Sequence, residues 1–285
     1  MEIINYWYRL LDMLPFSWAH YYFMKNALLA ILLVAPCFAL LGTVVVNNRM
    51  AFFTDVLGHS ALAGVAIGVI LGLSDPTLPM IILAISLAIA IIILKNTTKS
   101  SIDTLLGVFM AFVVALGIVV LSRQGGFSRY TGYIIGDILT VGPAQIFAFF
   151  GIALAIFAYW YLLSSALLLT VVNPSLARSR GIKTFLIESS FAVLLAILVM
   201  VSIRLVGILI MNSLLVLPAA ASRNIAKDIC SYTFLSVAIS VFSGVTGLIA
   251  SYYWGASSGA TIVLIACGCY CISLLFAKKH LQQGE

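Results

Sequence analysis

The chain has 285 residues, of which 63% are apolar and 8% charged, and a formal net charge of +6. A soluble domain carries about 25% charged residues, so this composition excludes one and describes an integral membrane protein. It is of the helical kind, because a transmembrane barrel would alternate polar and apolar residues and these long apolar runs do not. The positive charge is no nucleic-acid footprint, since most Lys and Arg sit in short loops between apolar runs, where membrane topology accounts for them.

Residues 1–25 hold Glu2, Arg9, Asp12 and Pro15 among aromatic residues. They lack the compact apolar core and small-residue cleavage site of a signal peptide. They read instead as an amphipathic segment lying at the membrane surface.

A helix needs about 20 apolar residues to cross the hydrocarbon core. By that measure the spans are 26–46, 52–72, 77–94, 104–122, 143–163 with an apolar continuation to 172, 184–203, 206–221, 231–251 and 258–277. That is nine, or eight if the pair divided only by Arg204 and Gly207 counts as one. Residues 26–277 thus form a single all-α transmembrane domain, followed by a tail at 278–285. With the amino end outside, ten of the fifteen Lys and Arg fall in inside segments, among them Arg49, Lys95, Arg178, Arg180, Lys183 and Arg223. The positive-inside rule favours that orientation.

The second span carries the most informative stretch, Asp55-Val56-Leu57-Gly58-His59. Residues four apart lie on one helix face, one turn apart. A carboxylate and an imidazole so placed suit a divalent cation such as Mn, Zn or Fe(II). An ionisable residue inside a span is costly and marks function by default. The competing role is a structural Asp–His hydrogen bond between packed helices. Gly64, Gly68 and Gly72 follow at four-residue spacing, a pattern that lets helix backbones approach closely.

Further along, Asp103 follows Ser100 and Ser101 at a helix start, where capping or a dipole effect is expected of it. The stretch 124–142 alternates apolar residues with Gly and is too short to span. It reads as a re-entrant or interfacial helix. Asn173-Pro174-Ser175-Leu176-Ala177-Arg178-Ser179-Arg180-Gly181 has an N-cap residue, Pro at the first helical position and Gly after the end, the signs of a short capped helix. Basic and predicted to lie inside, it suits either a docking knob for a cytoplasmic partner or an interfacial turn. Glu188, about one turn into its span, is expected to reach the inside surface or pair with a basic loop residue. Asn212 is polar within an apolar run and suits a neutral pathway ligand or a helix–helix hydrogen bond, while Pro218 is expected to bend the helix. Five cysteines lie in or beside apolar runs. Cys267, Cys269 and Cys271 have no His or acid near them in sequence, so packing suits them better than a soft-metal site.

No GxxxxGK[ST] phosphate loop is present, since Gly181-Ile182-Lys183-Thr184 lacks the loop before it. Nor is there an HExxH or G-x-S-x-G motif. The chain carries no recognisable nucleotide site of its own.

Three stretches together resemble the permease subunits of manganese/zinc/iron ABC importers. Asp55 to Gly64 is similar to that family's D-x-x-x-H-x-x-x-x-G signature. Asn173 to Gly181 resembles its D-P-E-x-A-x-x-x-G coupling helix, here placed at about 173–182. Gly207 through Leu217-Pro218-Ala219-Ala220-Ala221-Ser222-Arg223 is similar to its V-G-x-L-L…L-P-A-A-x-A-R pattern. Asp103-Thr104-Leu105-Leu106-Gly107 and Ile135-Gly136-Asp137-Ile138-Leu139 add weaker matches in the family's order. Asn173 and Ser175 stand where acids are common in the coupling helix.

The resemblance implies the fold of the cobalamin/metal-chelate type of importer in a bacterial cell membrane. It also implies two permease subunits, identical or paralogous, with a pathway at their interface and no permanently bound cofactor. Two cytoplasmic ATP-binding subunits would dock at Asn173, Pro174, Ala177, Arg178 and Gly181, and an external metal-binding protein would deliver the ion. Asp55 and His59 become the ligands of a transported Mn2+, Zn2+ or Fe2+, with Asn212 as a further polar group on the pathway. The chain itself would be a transport subunit and not an enzyme. Two other classes compete. A proton-coupled secondary transporter would use Asp55 and Glu188 as proton carriers, although inverted repeats are not evident. A membrane enzyme would use Asp55 and His59 as an acid–base pair, although few other polar residues lie in the spans.

Overall fold

A computed structural model describes residues 2–13, 15–73, 75–98, 100–123 and 138–282, with side chains described within 6–276 except at Arg204 and in those gaps. The described residues are helical throughout, with short turns between helices. Helix α1 is Glu2–Asp12, α2 Tyr22–Asn47, α3 Ala51–Ile70, α4 Thr77–Thr97 and α5 Ile102–Arg123. Helix α6 is Pro143–Val172, α7 Pro174–Ser179, α8 Thr184–Ile225, α9 Ile229–Trp254 and α10 Ser258–Gln282.

Nine segments among the described residues are long and apolar enough to cross a membrane, and they match the predicted spans to within a few residues at most ends. The fifth takes in the apolar continuation and runs unbroken to Val172. The sixth and seventh, Thr184–Ile203 and Leu205–Ile225, follow each other without a loop inside α8. Gly207 breaks the helix there, at φ 79° and ψ 163°, a backbone conformation open to glycine and costly for other residues. The last helix continues to Gln282, past the predicted start of the tail.

The chain divides into two compact units. One comprises Met1–Thr43, Asp137–Phe157 and Leu205–Glu285; the other comprises Val44–Gly136 and Ala158–Arg204.

In the second unit, α3 packs on both α4 and α5. The glycine spacing read from the sequence sets one of these seams. A methyl carbon added at Gly64 would sit 2.5 Å from the Met80 Cα on α4, and one at Gly68 would sit 2.9 Å from the Pro76 Cβ. On the α5 side, Leu62 and Ala66 pack with Leu121, and Ala63 with Val113 and with Leu87 of α4.

In the first unit, hydroxyl groups of α9 donate to backbone carbonyls of α2 at matching four-residue steps. Tyr232 bonds the Thr43 oxygen at 3.3 Å, Ser236 the Ala39 oxygen at 3.3 Å and Ser240 the Ala35 oxygen at 3.0 Å. All three donors are buried. Apolar contact between spans gains little in lipid, whose tails are as apolar as Leu, so such polar rungs help to fix the register of two helices.

The amino-terminal segment folds back on the start of α2. Lys25 is 1% exposed, and its ammonium donates to the Asp12 carboxylate at 2.6 Å while lying over the rings of Tyr8 and Tyr22. The Trp7 indole N–H donates to the Lys25 carbonyl at 3.1 Å, and the Tyr8 hydroxyl to Asn26. A buried ammonium is costly without a partner; here it has a carboxylate and two aromatic faces.

Candidate functional site

Helix α3 positions the Asp–His pair. From Phe53 to Ala66 every residue is buried except Asp55 and His59, which are partly exposed. Helix α3 packs on α4 and α5, and the two ionisable side chains stand one turn apart on a stripe that stays partly exposed. The nearby hydroxyls are turned inward on their own helix: Thr54 donates to the Ala51 carbonyl at 2.8 Å and Ser60 to the Leu57 carbonyl at 2.7 Å. The stripe therefore carries a carboxylate and an imidazole one turn apart. Among the described residues, no three His, Cys, Asp or Glu side chains lie together closely enough to hold a metal ion.

The predicted capped helix is present as α7, shorter than the 173–182 expected. The Asn173 side chain accepts from the Leu176 N–H at 3.0 Å, Pro174 opens the helix, and Ala177 is the buried residue that seats it. Gly181, at φ 76°, ends it, and the Ile182 N–H closes on the Ala177 carbonyl at 3.0 Å. Leu176, Arg178 and Arg180 are exposed, so the turn presents a basic, solvent-facing knob. Arg178 also donates from Nε to the Pro174 carbonyl at 3.3 Å, which stiffens the single turn and a half.

Glu188 pairs with Lys95 at 3.1 Å, each side chain about one-fifth exposed. Of the two roles expected of Glu188, reaching the inside surface or pairing with a basic loop residue, the contact is of the second kind, although Lys95 stands in the last turn of α4. The pair lines a pocket together with Met50, just before α3, Phe53 of α3, Thr170 of α6 and Phe191 of α8.

Asn212 lies on α8, in the other compact unit. Its neighbour Ser213 donates to the Ile210 carbonyl at 2.9 Å. At the start of α5 the capping oxygen comes from Ser101, which accepts from the Thr104 N–H at 3.2 Å. Asp103 lies in the first turn, where a carboxylate favours the helix dipole. The five cysteines are free thiols. Of the stretch 124–142, residues 124–137 lie outside the described residues. Ile138–Thr140 form one 3-10 turn, after which the Gln145 side chain accepts from the Gly142 N–H at 2.9 Å and caps α6.

Sequence reasoning missed the hydroxyl rungs of α9 and the Lys25 clamp. The spacing of Tyr232, Ser236 and Ser240 carried a signal for the first. Nothing in the order of residues 1–25 pointed to the second.

Residues 20–277 match the ABC 3 transport family. The chain is 34% identical over 257 residues to the high-affinity zinc uptake system membrane protein ZnuB of Haemophilus influenzae, spanning 90% of this chain and 97% of that protein. It is 25% identical over 260 residues to the manganese import system permease protein ScaB of Streptococcus gordonii, spanning 91% and 93% of the two chains. Among solved structures it is similar to PsaBC from Streptococcus pneumoniae in complex with Fab, with a TM-score of 0.77, 26% identity and 95% coverage of both chains.

Proposed function

The chain belongs to the ABC 3 transport family, and from that membership we propose that it is the membrane permease of an ATP-driven importer of a divalent transition metal, Mn2+, Zn2+ or Fe2+. The observation that carries the reading is the open stripe of α3. On a helix otherwise packed from Phe53 to Ala66, the two residues left accessible are a carboxylate and an imidazole. The relatives whose names specify zinc uptake and manganese import support the class of cargo.

Two copies of this chain, or this chain and a paralogue, would face each other across the pathway in a bacterial cell membrane. A dimer brings two Asp55–His59 pairs together, a set of four ligands that Zn or Mn accepts. The exposed knob from Asn173 to Gly181 is the docking point for each of two cytoplasmic ATP-binding subunits, and an extracytoplasmic binding protein supplies the ion. ATPase closure moves the knob, the helices beside it shift, and the Asp55/His59 site opens to one side of the membrane at a time. The permease itself hydrolyses nothing. Outside the membrane core, α1 lies along the outer surface. Its exposed residues Tyr6 and Leu10 stand one turn apart, with exposed Met13 just beyond its end, and buried Leu11 lies on another face; such an exposed apolar face suits the interface.

The proton-coupled alternative loses ground to a specific contact. Glu188, its second proton carrier, is held by Lys95.

The test is uptake of radioactive Mn2+ and Zn2+ into vesicles holding this chain and its ATP-binding subunit, comparing wild type with Asp55→Ala and His59→Ala and counting the ATPase retained. Each variant should lose uptake by tenfold or more while keeping the ATPase. Wild-type uptake in both variants would overturn the site. Metal ligation needs the carboxylate and the neutral imidazole, so uptake should also fall in acid.

A further inference from the structure

The Lys95–Glu188 pair stands at a junction. Glu188 is four residues beyond Thr184, the first residue of α8, which follows the knob helix at 174–179 after a four-residue turn. Lys95 is in the last turn of α4. Helix α4 is in turn seamed to α3 through Gly64 on Met80 and Gly68 on Pro76, so tightly that no added carbon fits without a shift. The pocket around the pair is walled by Phe53 and Met50 from the start of α3, by Ile92 from α4, by Leu167 from the last turns of α6, and by Phe191 from α8. One small, largely apolar chamber thus joins the helix that enters the knob, the helix that leaves it, and the first turn of the helix bearing Asp55. The low local dielectric strengthens the attraction within the pair, and removing one partner would leave the other charge in apolar surroundings without its counter-charge.

Resting on the permease reading above, we propose that Lys95 and Glu188 are positioning residues. Their ion pair is the tie that carries movement of the knob into α4, and through the glycine seam into α3 and its Asp55/His59 stripe. Without the tie, α8 follows the knob while α4 and α3 stay behind, so ATP is hydrolysed without moving the ion. A pair that merely held the fold together would, on removal, lower the amount of assembled protein and leave each assembled copy coupled.

The experiment reconstitutes the full chain with its ATP-binding subunit in vesicles and measures Mn2+ or Zn2+ taken up per ATP hydrolysed. The proteins compared are wild type, Lys95→Met, Glu188→Gln and the charge-exchanged double variant Lys95→Glu/Glu188→Lys. Each single variant should keep its ATPase and its ATP hydrolysis and lose tenfold or more in metal moved per ATP. The exchanged pair should recover at least a third of the wild-type ratio. Single variants with the wild-type ratio would overturn the proposal, as would an exchanged pair no better coupled than the singles. If a single variant fails to assemble, Lys95→Arg and Glu188→Asp replace it. They keep the charge and alter its reach, and a wild-type ratio in both the longer and the shorter variant would overturn the tie. ATP-independent uptake by wild type would instead overturn the permease reading, an outcome visible before any variant is made.

Discussion

At the scale of single residues, the Lys25 clamp makes a pH-dependent prediction. The hydrogen bond from Lys25 beside it holds the Asp12 carboxyl below its ordinary value. His20, 3.8 Å away, adds to that pull. A carboxyl lowered on folding stabilises the folded state fully above its ordinary value, and that contribution fades as acid protonates it in the folded protein. Asp12 is half exposed, so solvent screens the pair and the effect is small. Thermal unfolding of the protein in detergent should therefore show wild type above Asp12→Asn at neutral pH, with the two curves converging in acid below the ordinary carboxylate range. Parallel curves at all pH values would mean that the tie contributes through packing and not through charge.

Residue identity made some of this legible in advance and left the rest hidden. Asp55 and His59 could be found because ionisable groups in an apolar run are conspicuous and the α-helix fixes the geometry of residues four apart. The cap at Asn173, the proline after it and the glycine at 181 could be found because each acts on its own local backbone. For Glu188 the sequence offers either the inside surface or a basic partner, but the partner, Lys95, is 93 residues away, and no local rule selects it among the inside-facing bases. Lys25 was hidden for the same reason: its burial depends on where α1 folds back.

At the scale of elements, the α3–α4 seam is the sharpest case, because glycine there serves close approach. Gly64→Leu should lower stability by about 1–3 kcal/mol, the usual cost of forcing carbons into a filled site, and Gly64→Ala should already be destabilising, since the obstacle is the Met80 backbone and not the far end of a side chain. Gly151 on α6 is the control. Nothing lies within 4 Å of a methyl carbon built there, so Gly151→Ala should be neutral or should stabilise, by up to about 1 kcal/mol of helix propensity. Unfolding midpoints in detergent read both. Equal effects at the two positions would mean that propensity and not packing sets the cost. The four-residue spacing of the glycines signalled a seam, but which helix fills it depends on tertiary packing. Gly207 shows the converse. A single glycine with positive φ interrupts α8 just inside the second of its two spans, and the sequence places the break within a residue or two of it while leaving eight or nine spans open.

At the scale of the whole molecule, the number of ligands decides what one chain can do. The open stripe of α3 offers one carboxylate and one imidazole, and among the described residues no third His, Cys, Asp or Glu joins any such group. Protein sites for zinc ordinarily take four ligands, or three with water, so a single copy should hold the ion weakly and two copies facing each other should hold it well. The prediction is a stoichiometry: the purified permease, loaded with Zn2+ and washed through a desalting column, should retain one ion per two chains when dimeric and lose it on dissociation. Elemental analysis beside native mass spectrometry of the detergent-solubilised protein measures both numbers on one sample. Asp55→Ala in both copies should abolish retention without dissociating the dimer, which separates loss of a ligand from loss of the interface. Retention of one ion per chain by the monomer would mean that the pathway is complete within one subunit. The two-fold arrangement would then serve the ATPases and not the metal.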